Sequence, residues 1–131
     1  MSKKILIIED HLQMRAMLVL TLRYMDYEPL EAEDGYTGIE KSVAEHPDLV
    51  LLDLGLPGIS GLDTAKKIKE NPQTGDIPII AFTGWDPREF GARAREAGMA
   101  AYIQKPVSLS EIIERIEKLT QRDVSSLPRP S

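Results

Sequence analysis

Short, wholly apolar runs alternate along this chain with longer segments of helical period. Ile5-Leu6-Ile7-Ile8 and Leu49-Val50-Leu51-Leu52 are apolar at every position. Strands buried on both faces of a parallel sheet read this way, whereas half-exposed strands alternate apolar and polar residues. Ile77 to Phe82 reads as a third strand of this kind, Ala101-Tyr102-Ile103 as a short one, and Glu28 to Ala32 as a weaker one softened by Pro29. Between them, Leu12 to Met25 sets Leu12, Met14, Met17, Leu18, Leu22 and Met25 at helical spacing, so these are expected to face the core. An Asp34-Gly35 turn leads into a helix over Tyr36 to Glu45, and Gly61 opens one to about Glu70, ended by the loop 71–76. Asp86-Pro87-Arg88-Glu89 is a helix start, with Asp at the N-cap, Pro in the first helical position and Glu in the third, and Gly98 is its stop. Ser108-Leu109-Ser110-Glu111 is a capping box for a last helix reaching about Arg122.

Five strand-helix pairs joined by right-handed crossovers predict an α/β fold, one open doubly wound parallel sheet with strand order 2-1-3-4-5. The expected domain covers residues 1–122, and the polar, Pro/Ser-rich stretch 123–131 is expected to be a flexible tail. With 131 residues, 42% of them hydrophobic, the chain has room for one domain with a self-sufficient core. It contains no cysteine, which excludes a thiol nucleophile. No apolar run approaches the ~20 residues of a membrane span, and no secretory signal opens the chain, so a cytoplasmic location away from membranes is expected.

The net charge of -5 is unevenly spread: residues 1–65 sum to -7 and residues 66–131 to +2. An acidic total argues against direct nucleic-acid binding, which needs clustered Lys or Arg. It leaves room for a cation site in the first half.

In doubly wound sheets the functional crevice lies at the carboxyl ends of the strands, beside the point where strand order reverses. Glu9 and Asp10 follow the first strand, Asp53 the third, Thr83 the fourth and Lys105 the fifth. Each taken alone fits a cap, a solvated charge or a strand-end hydroxyl; their joint placement at one edge argues for a site. Three carboxylates so close repel one another unless a cation neutralises them. A hard divalent ion with oxygen ligands suits them, and Mg²⁺ takes one or two carboxylates, several waters and a phosphate oxygen. Lys105 and Thr83 are groups that bind phosphate oxygens.

The pieces Glu9-Asp10, Asp53-Leu54-Gly55-Leu56-Pro57-Gly58-Ile59-Ser60-Gly61, Thr83-Gly84 and Tyr102-Ile103-Gln104-Lys105-Pro106 occur in order on the expected strand ends. On these the chain resembles a response-regulator receiver domain of two-component signalling, of single-domain type, over residues 3 to about 121. The resemblance implies the flavodoxin-like (β/α)5 fold and Mg²⁺-dependent phosphoryl transfer to Asp53. The donor would be a phosphohistidine of a histidine kinase or a histidine phosphotransfer protein. It further implies that Asp10, Asp53 and the Gly55 carbonyl hold Mg²⁺ and that Glu9 acts through water. Lys105 would pair with the phosphoryl group, Thr83 would hydrogen-bond it, and Tyr102 would be the switch aromatic that turns inward with Thr83. Pro106 is expected to follow a cis peptide that aims Lys105. Such a domain is a signalling phosphoacceptor, not an enzyme, and catalyses only its own phosphorylation and dephosphorylation.

Some positions vary from the family pattern. Leu56 stands where Met is common and Val107 where Phe is common. Gly55 and Trp85 occupy the two positions that flank the phosphoryl group in the family, Gly55 leaving a gap and Trp85 able to cover it. Which effect prevails stays open at this point. His11 and His46 are expected to be a helix-start residue and a loop residue, neither ligands nor phosphoacceptors.

Two other functions share parts of this pattern. A haloacid-dehalogenase-type aspartyl-phosphate phosphatase needs a second Asp two residues past the nucleophile, where this chain has Gly55. A flavodoxin-like flavin carrier needs donors for an anion after the first strand, where Glu9-Asp10 would repel a flavin phosphate. The expected output is a change in protein contacts, with a downstream partner or by self-association. The expected surface is the face of the helix after Asp86, the Tyr102 strand and the helix after Ser108, near the basic residues Arg88, Arg93, Arg95, Arg115 and Lys118.

Overall fold

The structure, a computed structural model, describes residues 2–106 and 108–120. The tail 123–131, the end of the last helix past residue 120 and Val107 lie outside the described residues.

Five strands, β1 (Lys4–Ile8), β2 (Glu28–Ala32), β3 (Leu49–Leu52), β4 (Ile79–Thr83) and β5 (Ala101–Gln104), alternate with five helices. The helices are α1 (Leu12–Tyr24), α2 (Gly35–Glu45), α3 (Gly61–Glu70), α4 (Pro87–Glu96) and α5 (Leu109–Thr120). The strands pair in parallel in the order β2-β1-β3-β4-β5. The fold is the expected α/β, doubly wound, flavodoxin-like one.

The uniform apolarity of β1 and β3 follows from burial on both faces. Ile5, Ile7, Leu49 and Leu51 enter one core with Leu18, Leu22, Ile112 and Ile116 of α1 and α5. Leu6, Ile8, Val50 and Leu52 enter a second core with Leu62, Ala65, Ile68 and Ala94 of α3 and α4. Successive strand residues point to opposite faces, so each strand serves both layers. β2 is an edge strand, where Pro29 opposite Ile5 is tolerated.

The starts of α2, α3, α4 and α5 are secured by side-chain caps. Asp34 accepts from the Thr37 N–H at 2.8 Å, Ser60 from the Asp63 N–H at 3.1 Å, Asp86 from the Arg88 N–H at 2.8 Å and Ser108 from the Glu111 N–H at 3.2 Å. Each satisfies an amide that has no partner within its own helix. Gly98, at φ +92°, ends the turn after α4 in a conformation that side chains disfavour.

Three expectations need correction. Leu12 and Met17 do not face the core: they are 67% and 41% exposed, and Val19 is buried instead. α1 is apolar on more than one side, so its periodicity does not select the face that meets the sheet. β4 begins at Ile79, not Ile77, because the Ile77 N–H is already bonded to the Thr74 carbonyl at 3.0 Å and Pro78 has none to give. Thr83 is accordingly the last residue of β4 and not a residue after it. Among the described residues no helix is long and apolar enough to cross a membrane.

Candidate functional site

The strand order sets the ends of β1 and β3 side by side, with β4 next to β3 and β5 beyond it. Glu9, Asp10 and Asp53 each bring a carboxylate oxygen within 4.8 Å of the others. Glu9 is buried, Asp53 half-buried and Asp10 exposed. The Lys105 ammonium lies between two of them, 2.6 Å from Glu9 Oε1 and 3.3 Å from Asp53 Oδ2. It also sits 5.0 Å from the centre of the Phe82 ring. The Lys105–Pro106 peptide is cis, as expected.

Backbone groups fix the carboxylates. Gly55 N–H donates to Asp53 Oδ1 at 3.0 Å and His11 N–H to Glu9 Oε2 at 3.2 Å. Burial pushes the Glu9 carboxyl above its ordinary range, and the nearby Asp53 charge adds to this against the bond from Lys105. For Lys105 burial acts downward, yet the hydrogen bond to Glu9 and the Asp53 and Glu9 charges together lift it above the usual lysine value. One ammonium facing a cluster of three carboxylates leaves an excess of negative charge. An all-oxygen donor set of this charge and spacing fits a hard divalent cation, with Glu9, Asp10 and Asp53 as the side chains able to hold it or its waters.

Thr83 is buried at the end of β4, where its hydroxyl accepts from the Trp85 N–H at 3.3 Å. Its carbonyl accepts from the Lys105 N–H at 2.8 Å, tying the ends of β4 and β5 together. The Tyr102 hydroxyl donates to the Trp85 carbonyl at 2.8 Å, so one loop contacts both expected switch residues. The Trp85 ring lies beside Gly55, where a Cβ would meet its Nε1 at 3.4 Å, and it packs on Phe90 with centroids 4.5 Å apart.

The histidines stand apart from this cluster. His46 caps the end of α2 and lies 3.2 Å from Asp76; His11 is the N-cap residue of α1 and enters the site only through its backbone N–H.

Two contacts escape sequence reasoning. Gly61 approaches the backbone so closely that a Cβ would lie 2.4 Å from the Asp53 carbonyl oxygen. Arg15 donates to the Glu9 carbonyl at 2.7 Å. The available signal for Arg15 is a cation in the first turn of α1, within its apolar pattern, but its acceptors are invisible without the fold.

A carboxylate cluster and one lysine meet at the switch point of a 2-1-3-4-5 sheet, a setting that suits a divalent cation and not the phosphate of a flavin. The chain belongs to the response regulator receiver domain family, whose pattern matches residues 5–117. It is 37% identical to the phosphate regulon transcriptional regulatory protein PhoB of Klebsiella pneumoniae over 122 residues, 93% of this chain and 53% of PhoB. It thus spans about half the length of the PhoB relatives it matches. The polar-differentiation response regulator DivK of Brucella ovis is 35% identical over 118 residues, 89% of this chain and 95% of DivK. Among solved structures, a putative response regulator from Chloroflexus aurantiacus superposes with a TM-score of 0.88 at 29% identity, covering 93% of this chain and all of that one. The receiver domain of the sensor histidine kinase PA1611 from Pseudomonas aeruginosa, crystallised with magnesium in its active-site cleft, shares the fold. Its TM-score is 0.86 at 23% identity, over 93% of this chain and 100% of that one.

Proposed function

We propose that this chain is a cytoplasmic phosphoacceptor of a two-component phosphorelay. In this reading Asp53 takes a phosphoryl group from a phosphohistidine, and the modification changes the chain's protein contacts. The carrying observation is the Lys105 ammonium set between Glu9 at 2.6 Å and Asp53 at 3.3 Å, with Asp10 completing the acidic cluster. An Asp53 oxygen attacks phosphorus in line with the N–P bond of the phosphoimidazole. The O–P bond forms, and the N–P electron pair stays on the imidazole nitrogen, which takes a proton from solvent. Such a transfer needs positioning and charge neutralisation more than acid/base chemistry.

Asp10, Asp53 and the Gly55 carbonyl would hold Mg²⁺, with Glu9 acting through water; the ion neutralises charge on the phosphoryl oxygens. The magnesium in the active-site cleft of the PA1611 receiver domain supports Mg²⁺ as the ion. Lys105 moves its contact from Asp53 to the phosphoryl group, and the Thr83 hydroxyl donates to it. The chain catalyses only its own modification. The donor is a histidine kinase or a histidine phosphotransfer protein, and the output face is that of α4, β5 and α5.

Incubation with acetyl phosphate and Mg²⁺ is expected to add one phosphoryl group to the wild type and none to folded Asp53→Asn, read by intact mass. An unmodified wild type, or phosphate on His11 or His46, overturns the assignment.

A further inference from the structure

Arg15 lies one helical turn past His11, the residue after Asp10, and its side chain is only 12% exposed. Its donors reach two acceptors on different segments, one in the loop after β1 and one on β2. Nη1 donates to the Glu9 carbonyl at 2.7 Å, while Nε donates to Glu31 Oε1 at 3.1 Å. Glu31 belongs to β2, and its own carbonyl accepts from the Lys41 ammonium of α2. A second tie runs parallel to the first, from the Glu9 N–H to the Ala32 carbonyl at 3.0 Å. The segment carrying Glu9 and Asp10 is therefore clamped to the sheet edge on the side away from Lys105.

That clamp acts where the local electrostatics are least favourable. Glu9 is buried, Asp10 and Asp53 lie against it, and the Lys105 ammonium contacts Glu9 and Asp53 and, among the described residues, makes no bond to Asp10. Mutual repulsion favours swinging the exposed Asp10 outward, which a loop held only by β1 permits. Fixing the Glu9 carbonyl fixes the peptide plane that leads directly into Asp10. We infer that Arg15, braced by Glu31, is a positioning residue that holds Asp10 in reach of the cation shared with Asp53. The inference rests on the proposed Mg²⁺ site. Arginine is needed because its planar fork serves two acceptors in fixed directions, where a lysine ammonium on a flexible stem does not.

The charge of Arg15 and its geometry predict opposite results, which makes the test decisive. A cation near an acidic site weakens Mg²⁺ binding by repulsion, so a purely electrostatic Arg15 would give tighter binding in Arg15→Gln and no change in Arg15→Lys. A positioning Arg15 gives weaker binding in both. Mg²⁺ titrations of the full chain, followed by calorimetry and by the fluorescence of Trp85, are expected to show a Kd raised about tenfold in Arg15→Lys, the scale typical of lost support behind a metal ligand. The charge-neutral pair Arg15→Gln/Glu31→Gln is expected to lose a similar factor, and it keeps the test open if Arg15→Gln alone fails to fold. At saturating Mg²⁺ the rate of acetyl phosphate labelling returns to the wild-type value, which separates lost cation affinity from a general loss of structure. Wild-type affinity in Arg15→Lys, or a labelling defect that saturating Mg²⁺ does not repair, overturns the role of Arg15 while leaving the proposed function standing. A wild type without saturable Mg²⁺ binding overturns both.

Discussion

Glycines at two positions govern how other groups approach Asp53, and they differ in what they tolerate. A Cβ on Gly61 would lie 2.4 Å from the Asp53 carbonyl oxygen and 2.5 Å from Leu54 Cα, both backbone atoms that yield only if the loop between β3 and α3 moves. Gly61→Ala is therefore expected to cost about 1–3 kcal/mol, in the manner of an overpacked core. Urea unfolding measures it, and a midpoint equal to that of the wild type contradicts the steric argument. At Gly55 the nearest atom to an added Cβ is Trp85 Nε1 at 3.4 Å, an ordinary contact, so Gly55→Ala has room. The indole thus fills the space that the missing side chain leaves, and Phe90 at 4.5 Å braces it. Trp85 is still 37% exposed, enough for its ring to stand between solvent and the site. Trp85→Ala is expected to speed the loss of phosphate from Asp53 several-fold, followed by the decay of labelled protein after the donor is removed. Unaltered or slower decay removes the shielding role.

The helix starts show how local chemistry carries through to the folded element. The Thr37 N–H bonded to Asp34 holds this carboxyl below its ordinary 3.8. The folded state then binds a proton less readily than the unfolded chain. The cap's contribution is complete above pH 3.8 and is lost as pH falls through the lower folded value. Asp34→Asn keeps an acceptor at the cap but does not titrate, so the melting temperature of the wild type should fall more steeply than that of the variant in acid. Parallel curves would show that the cap carries no such linkage. The caps at Asp86 and Ser108 were legible because they depend on a few adjacent residues, and β1 and β3 because burial on both faces leaves no polar position. The inward face of α1 was legible only in part: Leu18, Leu22 and Met25 are buried as expected, but Leu12, Met17 and Leu20 supply apolar residues on sides that do not meet the sheet. The positions of the site residues followed from strand order alone, which brings the ends of β1, β3, β4 and β5 to one edge. Their pairing did not follow from it: Lys105 lies nearer to Glu9 than to Asp53, and Arg15 reaches across to Glu31, because such choices depend on side-chain reach between elements distant in sequence.

At the scale of the molecule, the loop after β4 joins the phosphoacceptor edge to the surface of α4 and β5. Trp85 packs beside Gly55 with its ring, accepts from the Tyr102 hydroxyl with its carbonyl at 2.8 Å, and donates its N–H to Thr83 at 3.3 Å. A phosphoryl group on Asp53 that recruits the Thr83 hydroxyl competes for the same loop. It would therefore change the setting of Tyr102, which lines a groove of about 240 Å³ with Pro87, Gly91, Ala94, Arg95 and Met99. Exposed Arg93 and Arg95 on α4, with Arg88 already paired to Asp86 at 2.9 Å, offer charges to an acidic partner or to a second copy. The equilibrium shifts only as far as the phosphorylated site favours one setting of the loop over the other. Beryllium fluoride with Mg²⁺, standing in for the phosphoryl group, should thus move amide chemical shifts around Asp53 and also along α4 and β5. In Thr83→Ala the shifts around Asp53 should persist while those on α4 and β5 shrink, and in Tyr102→Ala acetyl phosphate labelling should continue at the wild-type rate. Shifts confined to the Asp53 edge in the wild type would place the output surface elsewhere, and undiminished α4 shifts in Thr83→Ala would remove the hydroxyl from the route.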